Sequence, residues 1–238
     1  MPSVCYGETM KITLAFDVYG TLIDTAGVAT ALEQHVGNQA PEFSRVWREK
    51  QLEYSFRRGL MRNYQNFAVC TRSALDYTCQ VFDAALSQEE REKLMAEYKI
   101  LPPFPDAREG LARCSSAGFR MYAFSNGLAK DVAGLLEYSG IGEFFEDVIS
   151  VDEIRSFKPD PAVYHHFLKR SGSTGSSAWL ISGNPFDVAG AISAGMHAAW
   201  IQRSTKAVFD PWELYPTITV KSLTGLGEAV NASVDNKG

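Results

Sequence analysis

A single carboxylate at the end of a short apolar run places the strongest constraint on this chain. Residues 12–17 read ITLAFD, so a β-prone hydrophobic stretch leads directly to Asp17, and Gly20-Thr21 then breaks the run. A strand buried on both faces has this composition. An ionised Asp is costly to bury without partners, and ligands of open α/β sheets bind at the carboxyl ends of the strands. Asp17 is therefore predicted to lie at such an end, although a structural Asp that closes a turn explains this segment equally well.

Three later apolar runs end in polar residues in the same way. They are residues 119–124, which stop at Ser125-Asn126-Gly127; residues 147–151, followed after a short loop by Lys158; and residues 178–181, which lead into Ser182, Asn184 and Asp187. Helix-like stretches lie between the runs, at roughly 107–116, 129–138, 162–170 and 188–194. This alternation predicts an α/β fold, a doubly wound Rossmann-like parallel sheet with helices on both faces. The polar ends would then meet on one rim and form a site.

The segment between the first and second strand-like runs is long and has helical periodicity. Apolar residues recur at turn-like spacings between about residues 32 and 81, and Ser87 followed by Glu90 has the form of a capping box. The Pro-rich residues 101–105 end any helix and form a stiff connection. We therefore predict a helical cap domain at 24–101, inserted into an α/β core domain made of 1–23 and 102–238.

Composition narrows the class of protein. The net charge of −5 argues against a nucleic-acid-binding surface, which needs clustered Lys and Arg. No apolar run is long enough to span a membrane, and Met1 to Met10 lacks the features of a signal peptide. The expected location is the cytoplasm. The four cysteines, Cys5, Cys70, Cys79 and Cys114, are scattered, which favours free thiols over a zinc site or a disulfide such as Cys5–Cys70, and the four histidines form no metal motif.

Five motifs, in this order and spacing, carry a family resemblance that covers nearly the whole chain. They are FDVYGTL at 16–22, VWREKQLEYSF at 46–56, FSNG at 124–127, KPDPAVY at 158–164 and SGNPFD at 182–187. Together they resemble the haloacid dehalogenase superfamily, and within it the L-2-haloacid dehalogenases of type II. The resemblance implies a hydrolase that converts (S)-2-haloalkanoic acids to (R)-2-hydroxy acids and halide through a covalent aspartyl ester, as a homodimer.

Two positions distinguish this subgroup from the phosphatases of the same superfamily. Phosphatases carry a second Asp where this chain has Tyr19, a phenol with an ordinary pKa of about 10 that is a poor general acid. They also carry an Asp where this chain has Asn184, and a neutral amide weakens a site for magnesium. Halide leaves as a stable anion and needs neither group. We therefore predict no metal and no cofactor.

The chemistry predicted for the rim is covalent catalysis. Asp17 is expected to attack C2 of the substrate, and Lys158 to keep Asp17 ionised, although a lysine ahead of a helix is more often a surface residue. Asp187 is the candidate for activating the water that hydrolyses the ester, with Ser182 and Asn184 positioning that water. Asp187 could instead, or in addition, cap the helix that starts beside Pro185.

The resemblance adds residues that bind the substrate. Ser125 and backbone N–H groups at a helix start suit a carboxylate, and Arg48 is expected to meet the halide or the substrate anion. The remaining residues implied for the site are Thr21, Tyr19, Asn126, Tyr164 and, as an apolar wall, Phe67 and Phe186. The chain departs from better-known members at Glu49, where they have Gln, and at Phe186, where they have Trp. A Glu49 that pointed inward would oppose an anionic substrate.

Two other functions compete with this prediction. One is a phosphatase of the superfamily, or another hydrolase of small carboxylates that shares the ester intermediate. The other is a catalytically silent member that acts as a binding protein. Activity is favoured because Asp17, Lys158 and Asp187 occur together.

Overall fold

The computed structural model describes residues 11–235 and contains one parallel sheet of six strands, in the order β3-β2-β1-β4-β5-β6. The strands are β1 Thr13–Phe16, β2 Arg120–Ser125, β3 Asp147–Ser150, β4 Ala178–Ser182, β5 His197–Ile201 and β6 Ile218–Val220. β1 pairs with β2 on one side and with β4 on the other, so the strand order reverses between them. Ligands of open α/β sheets bind at such a switch point, and Asp17 follows β1 there.

The helices fall into the inserted segment and the core. Their bounds are α1 Val28–Val36, α2 Ala40–Leu60, α3 Phe67–Val81, α4 Gln88–Glu97, α5 Ala107–Ser116, α6 Ala129–Tyr138, α7 Pro161–Ser171, α8 Pro185–Ser193 and α9 Leu226–Asp235. The spacing-based helices at 107–116 and 129–138 match α5 and α6, and α8 begins three residues earlier than its apolar pattern indicated, because Pro185 suits the first turn of a helix.

Two apolar clusters cover the two faces of the sheet. Leu14 and Phe16 pack with residues of α5, α6 and α9, whereas Ala15 between them packs with residues of α7 and α8. Alternate residues of a strand point to opposite faces, so every residue of β1 is buried. This is the doubly wound arrangement predicted from the sequence, and the fold class is confirmed.

Helices α1 to α4 form the long insertion after β1. Ser87 caps α4 in the predicted capping box, in which its side chain accepts from the Glu90 N–H while the Glu90 carboxylate accepts from the Ser87 N–H. Contacts join this insertion to the core: the Tyr64 hydroxyl donates to Asp152 at 2.6 Å, and Lys99 lies 3.8 Å from Asp131. We propose that the insertion acts as a cap over the strand ends, with the boundaries 24–101 given above.

The sequence-based prediction missed three elements of the fold, and it also concerned some residues that lie outside the described part of the chain. Strands β5 and β6 and helix α9 were missed. Cys70, Cys79 and Cys114 are buried free thiols, as predicted, whereas Cys5 and the segment Met1 to Met10 lie outside the described residues. No helix within residues 11–235 has the length and apolar character needed to span a membrane.

Candidate active site

Asp17 lies at the end of β1 with its two carboxylate oxygens in different environments. Three side chains donate to Oδ2: Thr21 at 2.7 Å, Asn184 at 2.8 Å and Ser182 at 3.4 Å. Oδ1 accepts from Lys158 Nζ at 3.1 Å. Only 7% of Asp17 is exposed, and the donors compensate for the loss of water around its charge. The carboxylate is therefore fixed in orientation, with Oδ1 the less occupied oxygen.

Lys158 is a buried cation and not a surface lysine. Its ammonium group donates to Asp17, to Asp187 Oδ2 at 2.8 Å and to the Phe124 carbonyl at 2.9 Å, which uses all three N–H bonds. Burial by itself would lower the pKa of the Lys158 amine, but the Asp17 and Asp187 carboxylates outweigh it and raise that pKa above its usual value. The ammonium therefore stays charged and links the two carboxylates.

Asp187 lies in the first turn of α8 and is fully buried. Its Oδ1 accepts from the Tyr164 hydroxyl at 2.8 Å, and its Oδ2 from Lys158. The residue at the start of the helix is Asn184, and α8 has no side-chain cap hydrogen bond, so the capping role considered for Asp187 is wrong. Burial raises the pKa of the Asp187 carboxyl, and Lys158 and Tyr164 oppose that increase.

The Tyr164→Phe variant tests the link between this hydroxyl and Asp187. Loss of a donor to the charged carboxylate is expected to raise the pKa of Asp187 further. If Asp187 must be ionised for turnover, the acid limb of the kcat/KM profile moves up by about one pH unit. The profile of halide release against pH measures this shift. Tyr138→Phe, at an exposed tyrosine, is the control, and an unmoved limb in Tyr164→Phe would contradict the role of Asp187.

Gly190 allows α7 and α8 to approach closely enough for this contact. A Cβ atom at Gly190 would collide with the Tyr164 hydroxyl and lie 2.7 Å from Pro159 Cβ. Gly190→Ala is expected to destabilise the fold by about 1–3 kcal/mol and to lower activity, because Tyr164 must move. Gly134→Ala in α6 is the matched control, since its Cβ would meet nothing within 4 Å. Denaturant unfolding of both variants measures the difference, and equal stabilities would refute the steric argument.

Two polar residues lie at the carboxyl end of β2, and one of them, Asn126, contacts Lys158. The Ser125 hydroxyl accepts from the Gly127 N–H at 3.1 Å, and Asn126 Oδ1 accepts from the backbone N–H of Lys158 at 3.0 Å. Both side chains are buried, with 1% of Ser125 and 7% of Asn126 exposed. Asn126 thus connects the end of β2 to the loop that carries Lys158, and Ser125 lies near the start of α6.

Arg48 reaches the rim from the cap helix α2. Its guanidinium donates to Gln51 Oε1 at 2.7 Å and to the Tyr19 carbonyl at 3.4 Å. Glu49 points away: it is exposed and lies 2.5 Å from Arg45. The charge that distinguishes this chain at position 49 therefore does not face the site.

Aromatic side chains lie on the apolar side of the site. Phe67 is buried, 6.5 Å from the Tyr19 ring, and both line a cavity of about 290 Å³ between cap and core. Phe186 is half-buried and packs edge-on against Phe56 of the cap helix at 5.0 Å. Phe67 thus borders the cavity, whereas Phe186 joins the cap helix to the start of α8.

The structure thus brings all the predicted site residues to one end of the sheet. Sequence reasoning missed Gln51, the hydrogen-bond partner of Arg48, and Tyr98, which also lines the cavity. Gln51 belongs to the VWREKQLEY segment, whereas Tyr98 carried no motif signal. Within residues 11–235, no group of three or more His, Cys, Asp or Glu side chains is placed to hold a metal ion. The predicted metal independence stays a prediction for experiment.

The fold and this buried polar cluster at its switch point place the chain among enzymes built on a doubly wound α/β core. The family model of the haloacid dehalogenase-like hydrolases matches residues 13–195. The (S)-2-haloacid dehalogenase of Pseudomonas putida is 34% identical over 222 residues, 93% of this chain and 97% of that protein. Haloacetate dehalogenase H-2 of Moraxella sp. (strain B) is 37% identical over 207 residues, 87% of this chain and 92% of that protein.

A solved structure is similar in both fold and sequence. The L-2-haloacid dehalogenase of Xanthobacter autotrophicus with chloropropionic acid covalently bound has a TM-score of 0.86 and 30% identity, covering 93% of this chain and 99% of that one. The chain belongs to the haloacid dehalogenase-like hydrolases, which confirms the family predicted from the five motifs.

Proposed function

We propose that this protein is a hydrolytic dehalogenase that converts (S)-2-haloalkanoic acids to (R)-2-hydroxy acids and halide. The observation that carries the proposal is the asymmetric setting of Asp17, with three donors on Oδ2 and a lysine on Oδ1. Such a carboxylate is held for attack through one oxygen. The (S)-2-haloacid and haloacetate dehalogenases named above are similar over most of their length.

The first step is displacement at carbon. Asp17 Oδ1 attacks C2 of the substrate from the side opposite the halogen, a C–O bond forms, and the carbon–halogen bond breaks with its electron pair leaving on the halide. The configuration at C2 inverts, and an ester joins C2 to Asp17. Lys158 holds the attacking oxygen in place through its contact with Oδ1.

The second step is hydrolysis of that ester. Water attacks the carbonyl carbon of Asp17, and Oδ2, now the carbonyl oxygen, gains negative charge. Thr21, Ser182 and Asn184 already donate to Oδ2, so they stabilise this charge as an oxyanion hole. Asp187 accepts the proton from water in this scheme. Collapse of the intermediate breaks the bond between the carbonyl carbon and Oδ1, and Asp187 returns its proton to Oδ1, which leaves with C2 as the hydroxyl of the product. The second proton of the water is released when Asp17 returns to its carboxylate form.

Substrate binding uses the groups around this carboxylate. Ser125 and the backbone N–H groups at the start of α6 bind the carboxylate of the substrate, and Arg48 meets the halide or the substrate anion. Tyr19, Asn126 and Phe67 border the substrate, and Phe186 holds the cap helix against α8 through Phe56. Burial raises the pKa of the Tyr19 phenol far above its usual value, so Tyr19 is a weaker acid than the Asp of a phosphatase.

A halide-release assay with isotope labelling tests the function. Purified protein is incubated in EDTA with (S)- and (R)-2-chloropropionate, and separately with a phosphomonoester and magnesium. Halide release from the (S) acid is expected, with (R)-lactate as product. In a single turnover in ¹⁸O-water, the label should enter Asp17 and not lactate. Phosphate release without halide release would establish the phosphatase alternative, and silence on both substrates would favour a binding protein.

Three finer predictions from the sequence accompany this function. The family resemblance predicts a homodimer, and composition predicts a cytoplasmic protein. Sedimentation equilibrium measures the first, and fractionation of the source cells the second. Limited proteolysis that cuts near residues 24 and 101 would support the proposed domain boundaries.

A further inference from the structure

Tyr98, which follows α4 in the cap, carries a hydroxyl group that the fold leaves without a partner. The side chain is buried, with 7% of the residue exposed, and its oxygen has no hydrogen-bond partner among the described residues. Buried hydroxyl groups in folded proteins almost always have a partner, because an unpaired one loses its hydrogen bonds to water. A feature of this kind inside a candidate active site calls for a ligand.

The ring of Tyr98 is held firmly in place. It packs edge-on against Trp47 at 5.0 Å and lies 6.4 Å from the Tyr19 ring. Tyr98 also lines the cavity between cap and core, together with Tyr19, Phe67, Gly127 and Leu128. Burial raises the pKa of the Tyr98 phenol to about 12. The hydroxyl is therefore protonated at neutral pH and available as a donor.

Arg48 is a cation that has no ion-pair partner among the described residues. Its hydrogen-bond partner Gln51 lines the same cavity as Tyr98, and its chain neighbour Trp47 packs against the Tyr98 ring. Arg48 nevertheless has no carboxylate within salt-bridge distance in the part of the chain that the structure describes. Burial lowers the pKa of the Arg48 guanidinium, a penalty that an anion would offset. A bound water would satisfy the Tyr98 hydroxyl but would bring no negative charge to Arg48, on which only the more distant charge of Asp17 now acts.

We propose that the Tyr98 hydroxyl donates a hydrogen bond to the same anion that the proposed function assigns to Arg48. The anion is monovalent and is either the carboxylate of the haloacid or the departing halide. The proposal rests on the function proposed above and adds Tyr98 as a substrate-binding residue. It explains why the Tyr98 hydroxyl has no hydrogen-bond partner, and Arg48 no ion-pair partner, among the described residues.

The Tyr98→Phe variant isolates the hydroxyl, since the ring contacts with Trp47 and Tyr19 are kept. We expect kcat/KM for (S)-2-chloropropionate to fall by about tenfold or more, the usual effect of losing a hydrogen bond to a charged group. The Tm without ligand should stay equal or rise, because no hydrogen bond within the protein is lost. Tyr138→Phe, at an exposed position, is the control.

Inhibition and thermal shift identify the anion and separate this proposal from the proposed function. Bromide and propionate are tested as inhibitors of the wild type and of Tyr98→Phe: a weakened effect of bromide assigns the hydroxyl to the halide, and a weakened effect of propionate assigns it to the carboxylate. The increase in Tm that each anion causes is measured in the same two proteins and needs no turnover. Unchanged kcat/KM, inhibition and thermal shifts in the variant would overturn the role of Tyr98, whereas an inactive wild type would count against the function alone.

Discussion

Asp17→Asn is expected to reduce halide release by about 10⁴-fold or more, the scale of loss when the nucleophile of a covalent mechanism is removed. An amide is a poor nucleophile and cannot form the ester. The fold should survive, because Lys158 keeps its contacts with Asp187 and the Phe124 carbonyl. The new NH₂ group must face either Lys158 or the donors around Oδ2, so we expect a loss of about 1–3 kcal/mol in the free energy of unfolding.

Steady-state halide release measures the loss of activity, and urea unfolding followed by circular dichroism measures the loss in the free energy of unfolding. Asp83→Asn is a matched control, because Asp83 is exposed in the cap and has a φ of 50°, a conformation that Asn tolerates well. The control should keep full activity and stability. Activity of Asp17→Asn within tenfold of the wild type would exclude Asp17 as the nucleophile.

Lys158→Met is expected to abolish measurable turnover and to lower the free energy of unfolding by about 3–5 kcal/mol, the cost of removing one partner from a buried ion pair. Asp17 and Asp187 would then lie buried without the cation that both now contact. Burial and the neighbouring charge of Asp17 raise the pKa of the Asp187 carboxyl, and in the folded variant Lys158 no longer opposes them. A carboxyl with a folded pKa above its unfolded value contributes stability at low pH and loses it as the pH rises.

The pH dependence of the unfolding free energy of Lys158→Met therefore tests the role of these ion pairs specifically. The difference in unfolding free energy between wild type and Lys158→Met should narrow as the pH falls from about 8 to about 5, since one carboxyl takes up a proton. Urea unfolding across this range measures it. Lys169→Met, on the exposed side of α7, should change stability by no more than about 0.5 kcal/mol. A difference in unfolding free energy between wild type and Lys158→Met that does not change with pH would contradict the proposed role of the ion pairs.

Local pattern was sufficient for much of the fold. The run before Asp17, the capping box of α4 and the alternation of strands with α5 to α8 all depend on neighbouring residues, and each matches the structure. Strands β5 and β6 were missed for a physical reason. β5 reads HAAWI, in which alanine has little β-propensity, and β6 is a three-residue strand at the edge with no buried residue. Both are strands because a neighbouring strand offers hydrogen bonds.

The sequence by itself determined the kinds of groups at the site and the end of the sheet to which they belong, since a buried strand run and the polar residue after it are adjacent in the chain. Only the tertiary structure decided which groups meet. Lys158 contacts Asp17 across 141 positions and Asp187 across 29, Glu49 turns outward to Arg45, and Tyr98 lies near Arg48 with an unpaired hydroxyl. Such contacts depend on packing between distant segments, and the spacing of residues along the chain does not predict which side chains will meet.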